Sequence, residues 1–223
     1  MGKRGSKPKG KIECVWSPDF AYAIGLIVTD GCLSSDGRHI SFVSKDKEQI
    51  NNFMQCLNLK VKIGTTAGYK NKKVFRVQFG DVIFYRFLQS IGLSQAKSKI
   101  LGKIDVPRKF FFDFLRGIFD GDGYSYSYWD PRWKSSFMFY AGFVSASVKH
   151  VKWLRKVIQT RLGLKGHITI PRKGASCYQL KYAKKESLVL FKKIYKRNSA
   201  ICLSRKRLKI EKTLAIVGKK LFV

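Results

Sequence analysis

Acidic side chains are scarce in this sequence. Its 223 residues carry 14 Asp+Glu against 45 Lys+Arg, a formal net charge of +31. A charge so far from zero opposes compaction by self-repulsion unless a polyanion neutralises it. Histidines are also few: His39, His150 and His167 are too scattered to suggest a metal cluster. The five cysteines, at 14, 32, 56, 177 and 202, include no C-x-x-C pair, so a zinc ribbon or a redox motif is excluded. They read as free thiols in a reducing compartment. No apolar run approaches the length of a membrane span, and no secretory segment opens the chain. Those absences point to an intracellular protein, in the cytoplasm of a prokaryote or in an organelle.

The chain does have the material for a core. Hydrophobic residues make up 45% of it and aromatic residues 14%, which excludes a disordered basic tail. A basic, foldable chain of this kind is expected to bind nucleic acid. Residues 1–16 begin MGKRGSKPKGK, without apolar pattern, and read as a flexible basic arm. The start also fits the short myristoylation pattern M-G-x-x-x-[ST], a pattern easily matched by chance.

The sequence repeats itself. FAYAIGLIVTDG (20–31) and FDFLRGIFDGDG (112–123) align at an offset of 92, matching Gly25 with Gly117, Asp30 with Asp122 and Gly31 with Gly123. An FVS triplet follows each, at 42–44 and 143–145, so the second copy carries nine extra residues between motif and triplet. Further on, 84–100 lines up with 194–210 at an offset of 110, pairing Lys97 with Arg207. Gene duplication explains this order, with a first repeat over 17–104 and a second over 105–223. Both repeats are basic, so two arms lying along one long polyanion are expected.

Each repeat supports the same elements. Ser17-Pro18 is a helix start, followed by Phe20, Ala23, Ile24 and Ile27 at helical spacing. Gly31 is placed to end that helix in the left-handed conformation. Pro107 is expected to open the second motif helix. Hairpins are expected over 31–44, 63–80, 123–146 and 166–182, and further helices near 46–58, 81–92, 148–162 and 186–197. The pattern is αββαββα written twice, an α+β fold of two pseudo-symmetric halves.

Two helices ending in Gly-x-x-x-x-Asp-Gly are the central constellation. Glycine removes the side chain that keeps helices apart, so Gly25 and Gly117 allow close pairing. Paired in parallel, the helices bring Asp30 and Asp122 out at one end. Two adjacent carboxylates repel unless a proton or cation lies between them. Mg2+ accepts few carboxylates and completes its shell with water and phosphate oxygens, and metal between carboxylates and a phosphodiester supports hydrolysis. Asp120-Gly121-Asp122 alone also reads as a D-x-D metal site, and Asp-Gly at one helix end is ordinary turn chemistry. Recurrence of the whole frame favours a functional pair.

The segments AIGLIVTDG (23–31) and LRGIFDGDG (115–123) resemble the signature of LAGLIDADG homing endonucleases, in the monomeric two-repeat branch. The resemblance extends over nearly 17–215. It implies that the motif helices form the interface between the halves, and that Asp30 and Asp122 are catalytic and hold Mg2+ at the scissile phosphates. Val28 in place of the first motif Asp and the bulky Phe119 depart from the pattern. The family also places a basic residue near the active centre after the last hairpin and helix of each half. Lys97 and Lys206 match it best, and the resemblance implies that they are catalytic, stabilising charge on the phosphate or helping to activate water, while Ser44 and Ser145 stand where some relatives carry a polar residue near the metal.

The resemblance further implies a double-stranded DNA target read by antiparallel ribbons in the major groove. Alternation along VFRVQF (74–79) and YQLKY (178–182) puts Arg76, Gln78, Gln179 and Lys181 on faces opposite apolar side chains. Arg38, Lys70, Lys72, Tyr126, Tyr128, Arg132, Lys134 and Arg172 are further DNA-binding candidates. The expected activity is metal-dependent cleavage of both strands at a long site, in the service of intron homing. The rivals are an RNA maturase binding its own intron RNA, and a DNA-binding regulator on the same scaffold.

Overall fold

The computed structural model describes residues 10–68, 72–171 and 176–222. Helix α1 (Pro18–Asp30) starts where the sequence places it. The Ser17 side chain accepts from the Phe20 amide at 3.0 Å, and Pro18 takes a first-turn position whose amide has no helical partner. Residues 20–28 are all buried, so α1 is a central helix with neighbours on every side. Its counterpart α4 (Phe111–Asp122) is buried over 113–120. Pro107 does not open α4: a 3-10 turn over Arg108–Phe110 intervenes.

After α1 come β1 (Gly31–Leu33), β2 (His39–Ser44), α2 (Lys47–Cys56), β3 (Gly64–Ala67), β4 (Lys73–Gly80) and α3 (Val82–Ser90). After α4 come β5 (Gly123–Trp129), β6 (Phe137–Ser145), α5 (Val148–Leu162), β7 (His167–Thr169), β8 (Tyr178–Tyr182) and α6 (Lys184–Ile194). The two antiparallel sheets have the same order, β1-β2-β4-β3 and β5-β6-β8-β7. Register repeats too: Gly31 faces Phe42 and Gly123 faces Phe143, each at the head of its sheet. Ile40, Phe42, Val77 and Phe79 line the core face of one sheet, and Phe139, Phe143, Leu180 and Tyr182 that of the other. The α+β reading holds, with one addition. Among the described residues the first half has no counterpart of helix α7 (Ser204–Ile216).

Helices α1 and α4 meet backbone to backbone. A Cβ placed on Gly25 would lie 2.9 Å from the Gly117 Cα, and one on Gly117 would lie 2.9 Å from the Gly25 Cα, each closer still to a carbonyl oxygen of the facing helix. Only glycine at both positions permits this approach. The glycines that end the two helices serve a different purpose from the one expected of them. Gly31 and Gly123 are extended, at φ −85° and −78°, not left-handed. A Cβ there would collide with the preceding turn, at the Ile27 Cα (2.7 Å) or the Phe119 Cα (2.6 Å). Glycine lets the chain fold straight from helix into strand.

Helix α7 and the segment before it tie the halves together. Arg205 grips Asp46 through two bonds of 3.0 and 2.8 Å, Ser204 donates its amide to Glu48, and Asn52 donates to the Cys202 carbonyl at 2.8 Å. At the other end of the molecule, Ile12 is buried and the Lys11 and Ile12 amides donate to Asp81, which also caps α3. The basic leading segment is thus anchored from Lys11 onward.

Replacing Gly25 with Ala is expected to destabilise the fold by about 3 kcal/mol through overpacking, lowering Tm by roughly 6–12 °C for a chain of this size. Gly102→Ala, where a Cβ meets nothing within 4 Å, is expected to be neutral. Urea and thermal unfolding of the two variants measure the contrast.

Candidate active site

Because α1 and α4 run together to the same end, the residues that follow the glycine contact converge there. Asp30 closes α1 and Asp122 closes α4. Burial, reinforced by the charge of Asp122, lifts the Asp30 carboxyl to about 6. Partial desolvation raises Asp122 as well, against the pull of Lys206 and Lys97, although its side chain reaches solvent. Asp30 accepts one hydrogen bond, 3.1 Å from the Thr29 hydroxyl. Among the described residues Asp122 accepts none within hydrogen-bond distance.

The other acids of α4 are fully engaged. Asp113 bonds Arg116 at 2.8 Å and Lys196 at 3.2 Å. Asp120 accepts from the Tyr22 hydroxyl (2.8 Å), the Tyr195 hydroxyl (2.8 Å) and the Leu203 amide (2.7 Å), and is buried. A carboxylate with three donors and no solvent access has no oxygen to offer a metal, so Asp120-Gly121-Asp122 is not a D-x-D site. Asp120 instead fixes the segment leading into α7. No sequence pattern revealed this network; the only signal is that apolar Val28 occupies the corresponding place in α1, where no such link exists.

The two lysines occupy matching positions. Lys97 Nζ donates to the Gly31 carbonyl and, at 3.5 Å, to that of Thr29. Lys206 Nζ donates to the carbonyls of Phe119 (2.7 Å), Gly121 (3.0 Å) and Gly123 (2.6 Å). Thr29 and Gly31 in the first motif correspond to Gly121 and Gly123 in the second. The equivalent of Lys97 is therefore Lys206, and the internal alignment that pairs it with Arg207 is one residue out of step. The stretch from the end of the preceding helix to the lysine is longer in the second half, from Ile194 to Lys206 against Ser90 to Lys97. Arg207 points elsewhere, to Glu211 and Asn198. Each ammonium closes the carbonyl end of a motif helix, where the helix dipole favours positive charge. Burial lowers the pKa of both, that of Lys206 to about 8.

Two clefts flank the carboxylates. One, of about 280 Å³, is lined by Thr29, Lys97, Asp122 and Ser145 among others; the second, of about 340 Å³, by Asp30, Ser44, Gly121 and Arg205. Each is built from both halves. Ser44 and Ser145 also accept backbone amides just before α2 and α5, from Asp46 (3.0 Å) and Ser147 (3.2 Å). Thr29 and Gly121 fit as a pair, since any Cβ on Gly121 would strike the Thr29 side chain.

The sheet faces turned away from the helices hold most of the DNA-binding candidates. Arg76 and Gln78 are bonded to each other on β4. Tyr126 and Tyr128 belong to a stack with Tyr124 and Tyr140, Lys181 lies 5.6 Å over Tyr126, and Gln179 accepts from the Tyr124 hydroxyl at 2.9 Å. Arg38 sits in the β1–β2 turn beside Asp36, and Lys72 and Lys134 are exposed. Arg132 is clamped to Asp130 at 3.1 and 3.0 Å. Lys70 and Arg172 lie outside the described residues. The histidines are structural or peripheral: His150 is buried against the Gly102 carbonyl at 2.8 Å, and His39 contacts Asp36. All five cysteines are free thiols. Among the described residues no helix is long and apolar enough to cross a membrane.

This architecture is the two-repeat LAGLIDADG fold, a pair of sheets carried on two abutting motif helices. The chain matches no protein-family model and no curated protein. Solved structures share the fold. Full-length DUF199/WhiA from Thermatoga maritima superposes with a TM-score of 0.58 at 16% identity, over 92% of this chain and 63% of its own, so this chain spans less than two thirds of that protein. The homing endonuclease I-LtrWI, bound to target DNA, gives 0.57 at 13% identity over 90% of both chains. I-WcaI, bound to its DNA recognition sequence, gives 0.58 at 15% identity over 89% of this chain and 88% of its own.

Two outcomes follow from the contrasting acids. Asp30 is held above its unfolded-state pKa, so its ionisation weakens the fold above pH 6 and the penalty disappears as pH falls toward 4. In metal-free buffer, Asp30→Asn is expected to melt several degrees above wild type at pH 7.5, and level with it near pH 4. Asp120→Ala leaves three buried donors without an acceptor and is expected to cost about 3 kcal/mol. Thermal melts across pH check both.

Proposed function

We propose that this protein is a site-specific double-strand DNA endonuclease that hydrolyses one phosphodiester per strand with the help of Mg2+. The observation that carries the reading is the pair Asp30 and Asp122: two carboxylates at abutting helix ends, raised in pKa, in a chain with so few acids. Their donor set suits Mg2+. It offers two carboxylates and open clefts for water and phosphate oxygens, and no cluster of three or more His, Cys, Asp or Glu among the described residues that would favour a transition metal. A divalent ion bound there supplies Lewis acidity toward the phosphodiester and makes water a stronger nucleophile.

The chain's own residues do the rest. Asp30 and Asp122 hold cationic charge against the backbone of both strands, one in each cleft. Lys97 and Lys206 are positioning residues: pinned on the carbonyls of the motif helices, they keep positive charge beside the carboxylates without competing for them. The sheet faces with Arg76, Gln78, Gln179 and Lys181 lie along the groove, and the surplus of basic side chains contacts phosphates. The neighbours I-LtrWI and I-WcaI, both homing endonucleases on DNA, support a DNA partner. A further neighbour, the homing endonuclease I-DmoI, was crystallised with its target DNA in the presence of manganese. The reading takes the protein as a monomer whose two repeats contact the two halves of one site, and keeps intron homing as its setting.

The same fold occurs in DUF199/WhiA, which is not named as a homing endonuclease, and this keeps a second reading, a DNA-binding regulator on the same scaffold. A binder has no need to keep two unneutralised carboxylates at its centre, which ranks this reading second.

The test is a randomised duplex library incubated with Mg2+, Ca2+ or EDTA. Wild type is expected to cut a selected site in Mg2+ alone. Asp30→Asn and Asp122→Asn are expected to bind that site and lose cleavage by about 10³-fold or more. Ca2+ is expected to raise the Tm of wild type and not that of the double variant. Duplex binding without cleavage under any divalent ion, together with a Tm indifferent to Ca2+, supports the regulator reading instead. Tight binding of intron RNA without nicking of duplex supports the maturase.

A further inference from the structure

The outer hairpins of the two halves differ in length and in chemistry. In the first half β1 runs only from Gly31 to Leu33, while in the second β5 runs from Gly123 to Trp129 and stays paired with β6 to its last residue, Trp129 opposite Phe137. The four extra paired positions, seven against three, lengthen the second ribbon by about 13 Å, roughly four base pairs of duplex at 3.4 Å each.

A two-stranded ribbon is floppy on its own; this one is stiffened. Tyr126 stacks on Tyr140 at 4.8 Å and 9°, and Tyr128 continues the stack at 6.3 Å and 7° from Tyr126. The turn beyond is tied by Asp130, which binds the amide and guanidinium of Arg132, and by backbone bonds between Trp133 and Asp130 and between Ser136 and Trp133. Trp129 rests on Phe137, with ring centroids 5.0 Å apart. Trp133, on this rigid turn beside exposed Lys134, is 68% exposed. Its indole is therefore presented to solvent at the far end of a preorganised arm, surrounded by positive charge.

We infer that Trp133 is a DNA-contacting residue, wedging against a base-pair step about seven base pairs from the cleavage centre on the second-half side, the span of the seven-residue β5 at about 3.3 Å per residue. The inference rests on the endonuclease reading. An aromatic wedge is tolerant of sequence, and the cost of partly unstacking a step is offset by the bend and the added contacts it permits. A stiff arm loses little entropy on docking, and Lys134 supplies the phosphate contact that holds the indole in place. The bound site is consequently asymmetric, with a longer arm on the second-half side.

The experiment uses the duplex selected by Mg2+-dependent cleavage, bound in Ca2+ and footprinted with hydroxyl radical. The expected result is protection that extends about four base pairs further on one side of the cleavage centre. Trp133→Ala is expected to shorten that arm alone and weaken binding about tenfold, while Trp133→Phe retains both. A 2-aminopurine placed in the outer step is expected to brighten with wild type and not with Trp133→Ala. Equal arms on a duplex that is bound and cut, or a Trp133→Ala footprint and affinity equal to wild type, overturn the inference and leave the endonuclease reading intact. Failure to bind or cut any duplex removes both together.

Discussion

Everything in this molecule depends on the approach of two backbones at Gly25 and Gly117. Without side chains at that crossing, α1 and α4 lie close enough for their ends to share one small volume. The close approach brings Asp30 and Asp122 together, makes each flanking cleft a joint product of both repeats, and places Thr29 against Gly121. It also explains why both helices are buried almost throughout: they are at once interface and core. A methyl group at either glycine would strike a carbonyl oxygen of the facing helix and force the helices, and with them the two carboxylates, apart.

Charge is distributed according to the same geometry. Of the acids, Asp113 and Asp120 bind partners in the interior, Asp46 and Glu48 bind the start of α7, and Asp81 holds the leading segment. Among the described residues, Asp30 is half-buried with a single donor, the Thr29 hydroxyl, and Asp122 reaches solvent with none. Lys97 and Lys206 illustrate a second economy. Each closes a helix on its carbonyls, yet leaves its charge within reach of the carboxylates, so the carboxylates remain available for a cation while the centre is kept from excess negative potential. The basic remainder of the surface is solvated and suited to phosphate.

Much of the architecture was legible because repetition is informative in itself. A single Asp-Gly at a helix end says little, but the same frame twice, followed by the same FVS triplet, specifies two equivalent sheets and the glycine contact between them. Alternation in VFRVQF and YQLKY correctly separates core face from outer face, since strand period is short and strict. What escaped were features that repetition cannot report. Among the described residues helix α7 belongs to the second half only, and the stretch from Ile194 to Lys206 is longer than that from Ser90 to Lys97, so a constant offset does not match Lys97 with Lys206. Gly31 looked like a left-handed stop because glycine after a helix usually is one; the collision with Ile27 that actually demands it involves no unusual φ. The Asp120 network joins residues far apart in sequence through hydroxyls, and tyrosines carry no pattern that announces such a partner.

The difference between Val28 and Asp120 has an evolutionary meaning. Two copies of one ancestral unit began interchangeable, but only the second now holds the carboxylate that secures Tyr195 and the entry to α7, and α7 in turn grips the first copy at Asp46. A pair of first halves would lack the anchor, and a pair of second halves would lack the Asp46 and Glu48 surface on which that helix closes. Each repeat has become half of a lock whose other half lies in its sibling. The two repeats are therefore not interchangeable, because Asp120 anchors the entry to α7 in one and Asp46 receives Arg205 in the other.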